Sequence, residues 1–503
     1  MKILPIEKVR EADAYTIKNE PIEDIDLMER AATQLFNRII DMIELSRPVK
    51  TFCGLGNNGG DGFAVSRMLA NAGYKVTVYV VRYSAKMSPS CETNFERIKS
   101  AGNATVVELK EKDKLPGIND GDVIIDAIFG SGLKRPVEGF IAKIIDHINS
   151  STAQVIAIDA PSGFFCDTTN TTNKGSIVKA DITLTFQFPK FGFLFPENDI
   201  FVGNWEVLPI GLHPDFINKV EVDSFLTESS DIKRIHKKRA KFDHKGTYGH
   251  GLLISGGYGK IGAAVLGSKA ALRAGAGLIT THIPAKGYSI LQTSVPEAMV
   301  SIDMDDEIFS EVPFLSKYNA IAVGPGIGTE KQTAKALKLL IQNSGVPVIF
   351  DADAINILAE NKTWIPFIPQ NSILTPHPKE FERLVGKSSD NFERNKMQRE
   401  FSVKYHVYVI LKGAHTAITT PNGKCYFNTT GNPGMATGGS GDVLTGILLG
   451  LMAQGYSPFE TSLLGVYIHG LAGDIAAGKS GYEALIAGDI TERLGEAFRL
   501  LNG

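Results

Sequence analysis

Cysteine is scarce in this chain. The four among 503 residues, Cys53, Cys91, Cys166 and Cys425, are scattered without a C-x-x-C pair. That argues against a disulfide framework and a structural zinc site, and fits a reducing compartment. Long apolar runs are also missing: no uninterrupted stretch approaches the roughly 18 residues a membrane span needs. The opening MKILPIEKVREADAYTIKNE alternates apolar and charged residues where a signal peptide would carry an apolar core. Net charge is small, −3, so no global field draws the chain to nucleic acid or an anionic membrane. The expected partner is a small molecule and the expected location cytoplasmic.

What is present is the composition of a soluble globular protein, 43% hydrophobic and 21% charged. The length suggests two or three domains, each able to bury a core. Apolar strand candidates alternate with helical stretches in both halves, which predicts the α/β class with parallel sheets covered by helices. The pattern weakens between about 211 and 246, so the expected division is a domain over 1–215, a linker over 216–240 and a domain over 241–503. The basic run Lys233 to Lys241 falls there and reads as a solvated linker or helix face.

The first half opens with an amphipathic helix over Ile22 to Glu44, followed by VKTFCGLGNNGGDGFAVSRMLANAGYKVTVYVVRY, a strand, glycine loop, helix and strand. Gly54 to Gly59 satisfies G-x-G-x-x-G. However, Asp61 would oppose a pyrophosphate, and the strand Val76 to Val81 ends in Arg82 and not in a ribose-holding carboxylate. Asn57, Asn58 and Asp61 offer oxygen and amide groups to a polar ligand or a cation, or serve a tight turn. Two further apolar runs end in carboxylates, Asp122 to Asp126 before AIFGSG and Val155 to Asp159 before APSG. Ligands of an open parallel sheet sit beyond its carboxyl ends, where Asn58, Asp126, Asp159 and Ser162 would gather.

The NNGGDG, DAIFGSG and DAPSG motifs together resemble the N-terminal domain of the NAD(P)HX repair proteins, the YjeF N-terminal family. The resemblance implies a Rossmann-like domain that epimerises C6 of the hydrated nicotinamide ring of NADHX and NADPHX, with a bound potassium ion. It implies that Asn58, Asp126 and Ser162 hold the potassium. Asn57, Asn58, Gly59, Gly60 and Asp61, with Gly130, Ser131, Gly132, Leu133, Lys134, Arg135 and Pro136, would cradle the substrate, and Asp159 would be the acid/base.

In the second half, NPGMATGGSGDVLTGILLG reads as a glycine-rich loop turning into a buried helix at about Asp442. Four small residues, Gly438, Gly439, Ser440 and Gly441, let backbone N–H groups converge, and the helix adds the positive end of its dipole, so the place suits an anion. Asp442 there is either a helix cap or a base beside a phosphate. Strand candidates at Leu252–Ser255, 321–323, 346–350, 372–374 and 407–411 are followed by loops that should share one edge. Among their residues, Asp351 and Asp353 read as metal-water ligands or turn formers, His377 as a fixed contact or an incidental turn residue, and Lys412 as a solvated residue unless the cleft is anionic. Gly473 to Ser480 matches G-x-x-x-x-G-K-S, but no strand precedes it; helical periodicity makes Gly478 the expected helix C-cap.

The set GPGIG, DADAIN, TPHPKE, LKGAHT and NPGMATGGSGDVLTG resembles the nucleotide-dependent NAD(P)HX dehydratases of the ribokinase-like fold. This implies that Lys412, Gly413, Ala414, His415 and Thr416 bind ADP or ATP together with the glycines up to Gly441. It further implies that Ala263, Gly326 and His377 line the hydrate pocket, that Asp442 is the base, and that magnesium accompanies the nucleotide. The whole chain resembles the fusion of epimerase and dehydratase, expected as a homo-oligomer with no nucleic-acid or membrane partner. The competing readings are a ribokinase-like kinase of a small alcohol or vitamin precursor, which would accumulate a phosphorylated product, and a non-catalytic ligand-binding scaffold.

Overall fold

The computed structural model describes residues 1–502. The chain divides into two compact units, Lys2–Val222 and, with Met1, Asp223 onward. Among the described residues no helix is long and apolar enough to cross a membrane.

The first unit is built on seven strands: β1 Val49–Cys53, β2 Val76–Val81, β3 Thr105–Leu109, β4 Val123–Ala127, β5 Gln154–Ile158, β6 Ile182–Phe186 and β7 Asn204–Leu208. They pair in the order β3-β2-β1-β4-β5-β6-β7, all parallel. The near-continuous burial of β1, β4 and β5 is what a sheet covered on both faces demands. Strand order reverses between β1 and β4, and at that crevice a parallel sheet opens its ligand site. Glycines at this turn serve close approach: a Cβ at Gly54 after β1 would lie 2.0 Å from the Ile128 carbonyl oxygen, and one at Gly59, in the first turn of the next helix, 2.1 Å from that of Gly54. The amphipathic helix expected over 22–44 spans Asp24–Ile40. Asp61 is not in a loop; it lies within the helix Asn57–Asn71.

The second unit holds β8 Ser224–Leu226, β9 His250–Ile254, β10 Leu278–Ile283, β11 Met299–Ile302, β12 Ala320–Val323, β13 Val348–Phe350, β14 Ile373–Leu374, β15 Tyr408–Leu411, β16 Ala417–Thr419 and β17 Cys425–Phe427. Their order is β11-β10-β9-β12-β13-β14-β15-β16-β17-β8, parallel except for the meander β15-β16-β17. The order reverses between β9 and β12, and the loops after β12, β13, β14 and β15 share one edge. One core cluster, on the Ser440–Ala453 side, and another, on the Lys331–Asn343 side, occupy the two faces.

The expected linker is corrected here, while the basic run is exposed as expected, with Lys233 and Arg234 on a helix. The segment 216–240 is not a bare linker: it supplies β8, paired with β17, and the helix Ser229–Ile235, whose Ile232 is fully buried. Three-residue edge strands leave too short a pattern to register. The basic run also has a structural use. Lys237 Nζ donates to the Gly455 carbonyl at 2.9 Å, and Arg239 stacks on Tyr248 and donates to the Gly275 carbonyl. These cations cap the carboxyl ends of two helices. The G-x-x-x-x-G-K-S match lies inside one helix, Pro458–Ser480, as expected, but Gly478 continues it and Gly481, at φ 77°, ends it.

Candidate functional sites

In the first unit a cavity of about 420 Å³ opens at the strand-order reversal. Asn57 and Asn58 border it at the start of the helix after β1, and Gly130 to Leu133 follow β4. Asp159 ends β5 in a left-handed conformation, φ 63°, which a non-glycine residue adopts at a cost and which aims its carboxylate inward. That carboxylate pairs with Lys190 Nζ at 2.9 Å and accepts the Ser131 N–H at 3.0 Å. Burial would raise its pKa, but Lys190 and the Ser131 contacts outweigh burial and hold it below the usual carboxylate range. Asp61, wholly buried, is pushed well up by burial and by Asp159 and Asp13, which favours its neutral form.

Asp126 and Ser162 lie together beneath the cavity. Ser162 donates its hydroxyl to Asp126 at 2.6 Å and its N–H at 2.7 Å, yet burial still raises Asp126 to about 6. The influences on Asp126 are burial, Ser162 and the Ile128 N–H, none of them a cationic side chain of the described residues. The Asn58 amide nitrogen is buried without a partner; rotating the amide would place its carbonyl oxygen there. A buried carboxylate lacking a counter-charge, beside a hydroxyl and an amide, fits a monovalent cation.

Other expected cradle residues lie elsewhere. Gly59 and Gly60 are packed beneath, a Cβ at Gly60 meeting Met28 Sδ at 2.6 Å, while Lys134, Arg135 and Pro136 are exposed beyond the lining. Sequence reasoning missed Arg10 and Asp13 on the helix Ile6–Asn19, and Lys190 after β6. Only the fold brings them to the crevice.

In the second unit a cavity of about 740 Å³ is bordered by Lys412, Gly413, Ala414 and Thr416 after β15 and by Ser440 and Gly441 at the glycine loop. His415 sits off the lining, its Nδ1 3.4 Å from the Asn428 carbonyl oxygen, and Gly438 and Gly439 lie behind the loop's leading edge. The helix is Ser440–Ala453, and Gly439, at φ 88°, is its N-cap. Asp442 is therefore not the cap: it occupies the third helical position, half-buried, with no hydrogen bond from the described residues.

Beside Asp442 lies an ordered ion pair. Asp351 is 1% exposed; it accepts Lys412 Nζ at 3.0 Å, Thr375 Oγ1 at 2.7 Å and Thr445 Oγ1 at 2.8 Å. Burial and Asp351 raise Asp442 to about 6, against the lowering effect of Lys412. On the other side, a Cβ at Gly326 would lie 3.1 Å from Lys260 Cβ and 3.4 Å from Ala263 Cβ, so Ala263 and Gly326 adjoin; Asp353 holds the Gly328 N–H at 2.9 Å. Lys412, which borders the large cavity, lowers the Asp442 carboxyl and Asp353 raises it, so Asp442 lies within electrostatic reach of both.

His377 caps a helix and also borders a cavity. Its Nδ1 accepts the Lys379 and Glu380 N–H groups as the cap of the helix Pro378–Val385, and it borders the large cavity with Lys412. His469 was missed entirely. Its Nε2–H donates to the Ser440 carbonyl at 3.0 Å, and burial pushes the ring down to about 4, which favours a neutral imidazole at the glycine turn.

Two family models match the chain, YjeF-related protein N-terminus over residues 24–192 and NAD(P)H-hydrate dehydratase over residues 251–495. The bifunctional NAD(P)H-hydrate repair enzyme of Moorella thermoacetica is 33% identical, covering 100% of this chain and 97% of its own. That of Coxiella burnetii is 35% identical over 97% of each, and that of Escherichia coli 32% identical over 93% of this chain and 88% of its own. The solved ADP/ATP-dependent NAD(P)H-hydrate dehydratase of Bacillus subtilis, co-crystallised with ATP and Mg²⁺, is 27% identical with a TM-score of 0.48, covering 55% of this chain and 97% of its own. With full-length relatives above 30% identity and models matching both halves, this chain belongs to the family of bifunctional NAD(P)H-hydrate repair enzymes.

Proposed function

We propose that the first unit epimerises hydrated NADH and NADPH and that the second dehydrates one epimer at the expense of ADP or ATP. The observation that carries the second half is the position of Asp442 on the first turn of the glycine-loop helix, free of any capping duty and facing Lys412. Hydration leaves a hydroxyl on C6 of the ring, a poor leaving group. Asp442 takes its proton as the oxygen attacks the terminal phosphoryl group of the nucleotide; AMP or ADP departs. Phosphate then leaves C6 as C5 loses a proton and the ring double bond returns. The amides of Gly438 to Gly441 and the helix's positive end stabilise the charge on the transferring group.

Mg²⁺ fits as a passenger on the nucleotide phosphates, since the described residues offer no group of three His, Cys, Asp or Glu side chains that could hold a metal ion. In the first unit, Asn58, Asp126 and Ser162 would hold potassium, which supplies the positive charge that a buried Asp126 calls for. Asp159, held ionised, is the base at the ring. Four buried, unpaired cysteines support the cytoplasmic placement, and a homo-oligomer, measurable by light scattering, completes the reading.

The test uses separated hydrate epimers with each nucleotide. Asp442→Asn should abolish nucleotide-dependent return of NADH absorbance while epimerisation continues. Accumulation of a phosphorylated product by the unaltered protein, with no NADH regained, would establish the kinase reading instead.

A further inference from the structure

This inference rests on the epimerase reading of the first unit. C6 of the hydrate bears both the hydroxyl and the ring nitrogen, so its configuration inverts without redox chemistry if the C–O bond breaks and reforms. Departure of hydroxide needs a proton delivered to it, and addition of a new water needs a proton removed. One protonated and one ionised group must therefore meet the same ring. Asp159 is committed to the ionised role by Lys190 at 2.9 Å, by the Ser131 N–H and by the Thr185 hydroxyl at 3.3 Å.

We propose that Asp13 is the partner acid, giving its proton to the departing C6 hydroxyl from the helix Ile6–Asn19 while Asp159 receives a proton from the incoming water. Asp13 borders the same cavity, is half-buried and accepts no hydrogen bond from any described residue. Burial and then Asp159 raise its carboxyl to about 7, with Lys190 opposing and Asp24 adding to the rise. The two other acidic groups of the cavity do not serve. Asp61 is the more deeply buried, 8% exposed within the helix Asn57–Asn71, and the Tyr83 hydroxyl is engaged, accepting the Leu55 N–H at 3.1 Å.

The step balances. Asp13 protonates the hydroxyl, the C6–O bond breaks and water leaves, while the ring nitrogen's lone pair forms a double bond to C6. A second water adds to the opposite face, the nitrogen regains its pair, and Asp159 takes the released proton. Exchange with solvent returns Asp13 to its acid form. Below about 7 Asp13 is protonated while Asp159, held low, is ionised, so epimerisation falls as pH rises through about 7. The charged groups facing Asp13 are Asp24 and Asp61 on neighbouring helices, Asp159 and Lys190 at strand ends and Arg10 on its own helix; Asp167 binds that helix at the Ile6 N–H, and His213 packs on Tyr15.

The experiment follows interconversion of a single hydrate epimer by the full chain without nucleotide, in ¹⁸O-labelled water, from mildly acidic to mildly alkaline pH. Asp13→Asn should lower kcat about 100-fold, leave KM within about twofold and erase the alkaline limb; Asp13→Glu should restore part of the rate and the limb. Solvent oxygen should enter the hydroxyl with each inversion. Undiminished nucleotide-dependent dehydration of the accepted epimer by Asp13→Asn would show the chain folded. A wild-type rate in Asp13→Asn, a surviving alkaline limb, or inversion without solvent oxygen would overturn the assignment. Absence of epimerisation in the unaltered protein would instead overturn the epimerase reading.

Discussion

At Asp442 burial and Asp351 push the carboxyl up to about 6 while Lys412 opposes them. A base works in its ionised form, so dehydration should rise with pH through about 6 and level off above it, as a rate profile with saturating substrates will show. Lys412→Met removes the opposing cation, so this limb should move to higher pH. It also strips buried Asp351 of its counter-charge, which should cost about 2 kcal/mol in a urea titration. The carboxylates Asp126 and Asp159 were legible in the sequence because each terminates an apolar run and so must stand at a sheet's carboxyl edge. Asp13 and Lys190 were not, because Asp13 sits among Glu7, Lys8, Arg10 and Glu11 on a helix that looks solvated, and nothing local connects either residue to Asp159. Their meaning arises only when three distant segments meet.

The helix Ser440–Ala453 packs against Ile261–Arg273 with its glycines at the crossing. A Cβ at Gly446 would lie 2.2 Å from the Gly267 carbonyl oxygen, and one at Gly450 2.5 Å from that of Ala271. Backbone meets backbone, so no rotamer can relieve the clash. Gly446→Ala should destabilise the second unit by about 1–3 kcal/mol, read from denaturant unfolding, even though alanine is the better helix former. The existence of this helix was plain from its apolar run, and Gly438 to Gly441 announced the loop before it. Its exact start depended on a positive φ at Gly439, and its neighbour across the crossing was invisible. Likewise Val76–Val81 emerges with its expected bounds, whereas β16, β17 and β8 are too short to leave a period in the sequence.

Across the whole molecule the informative boundary is that between Val222 and Asp223. A fragment beginning at Asp223 retains β8 against β17 and the helix that buries Ile232, whereas one beginning at 241 loses both and exposes the edge of β17. The longer fragment should unfold cooperatively at a higher temperature, and the shorter should melt lower or aggregate; paired thermal melts with light scattering will distinguish them. That boundary was blurred in the sequence because a strand recruited across about 200 residues by β17 carries no local sign of its destination.

Because the backbones of two helices touch at Gly446 and Gly450, the rod bearing Asp442 has no slack in which to slide or roll. On the proposed mechanism, nucleotide and hydrate would therefore come to amides already held in place.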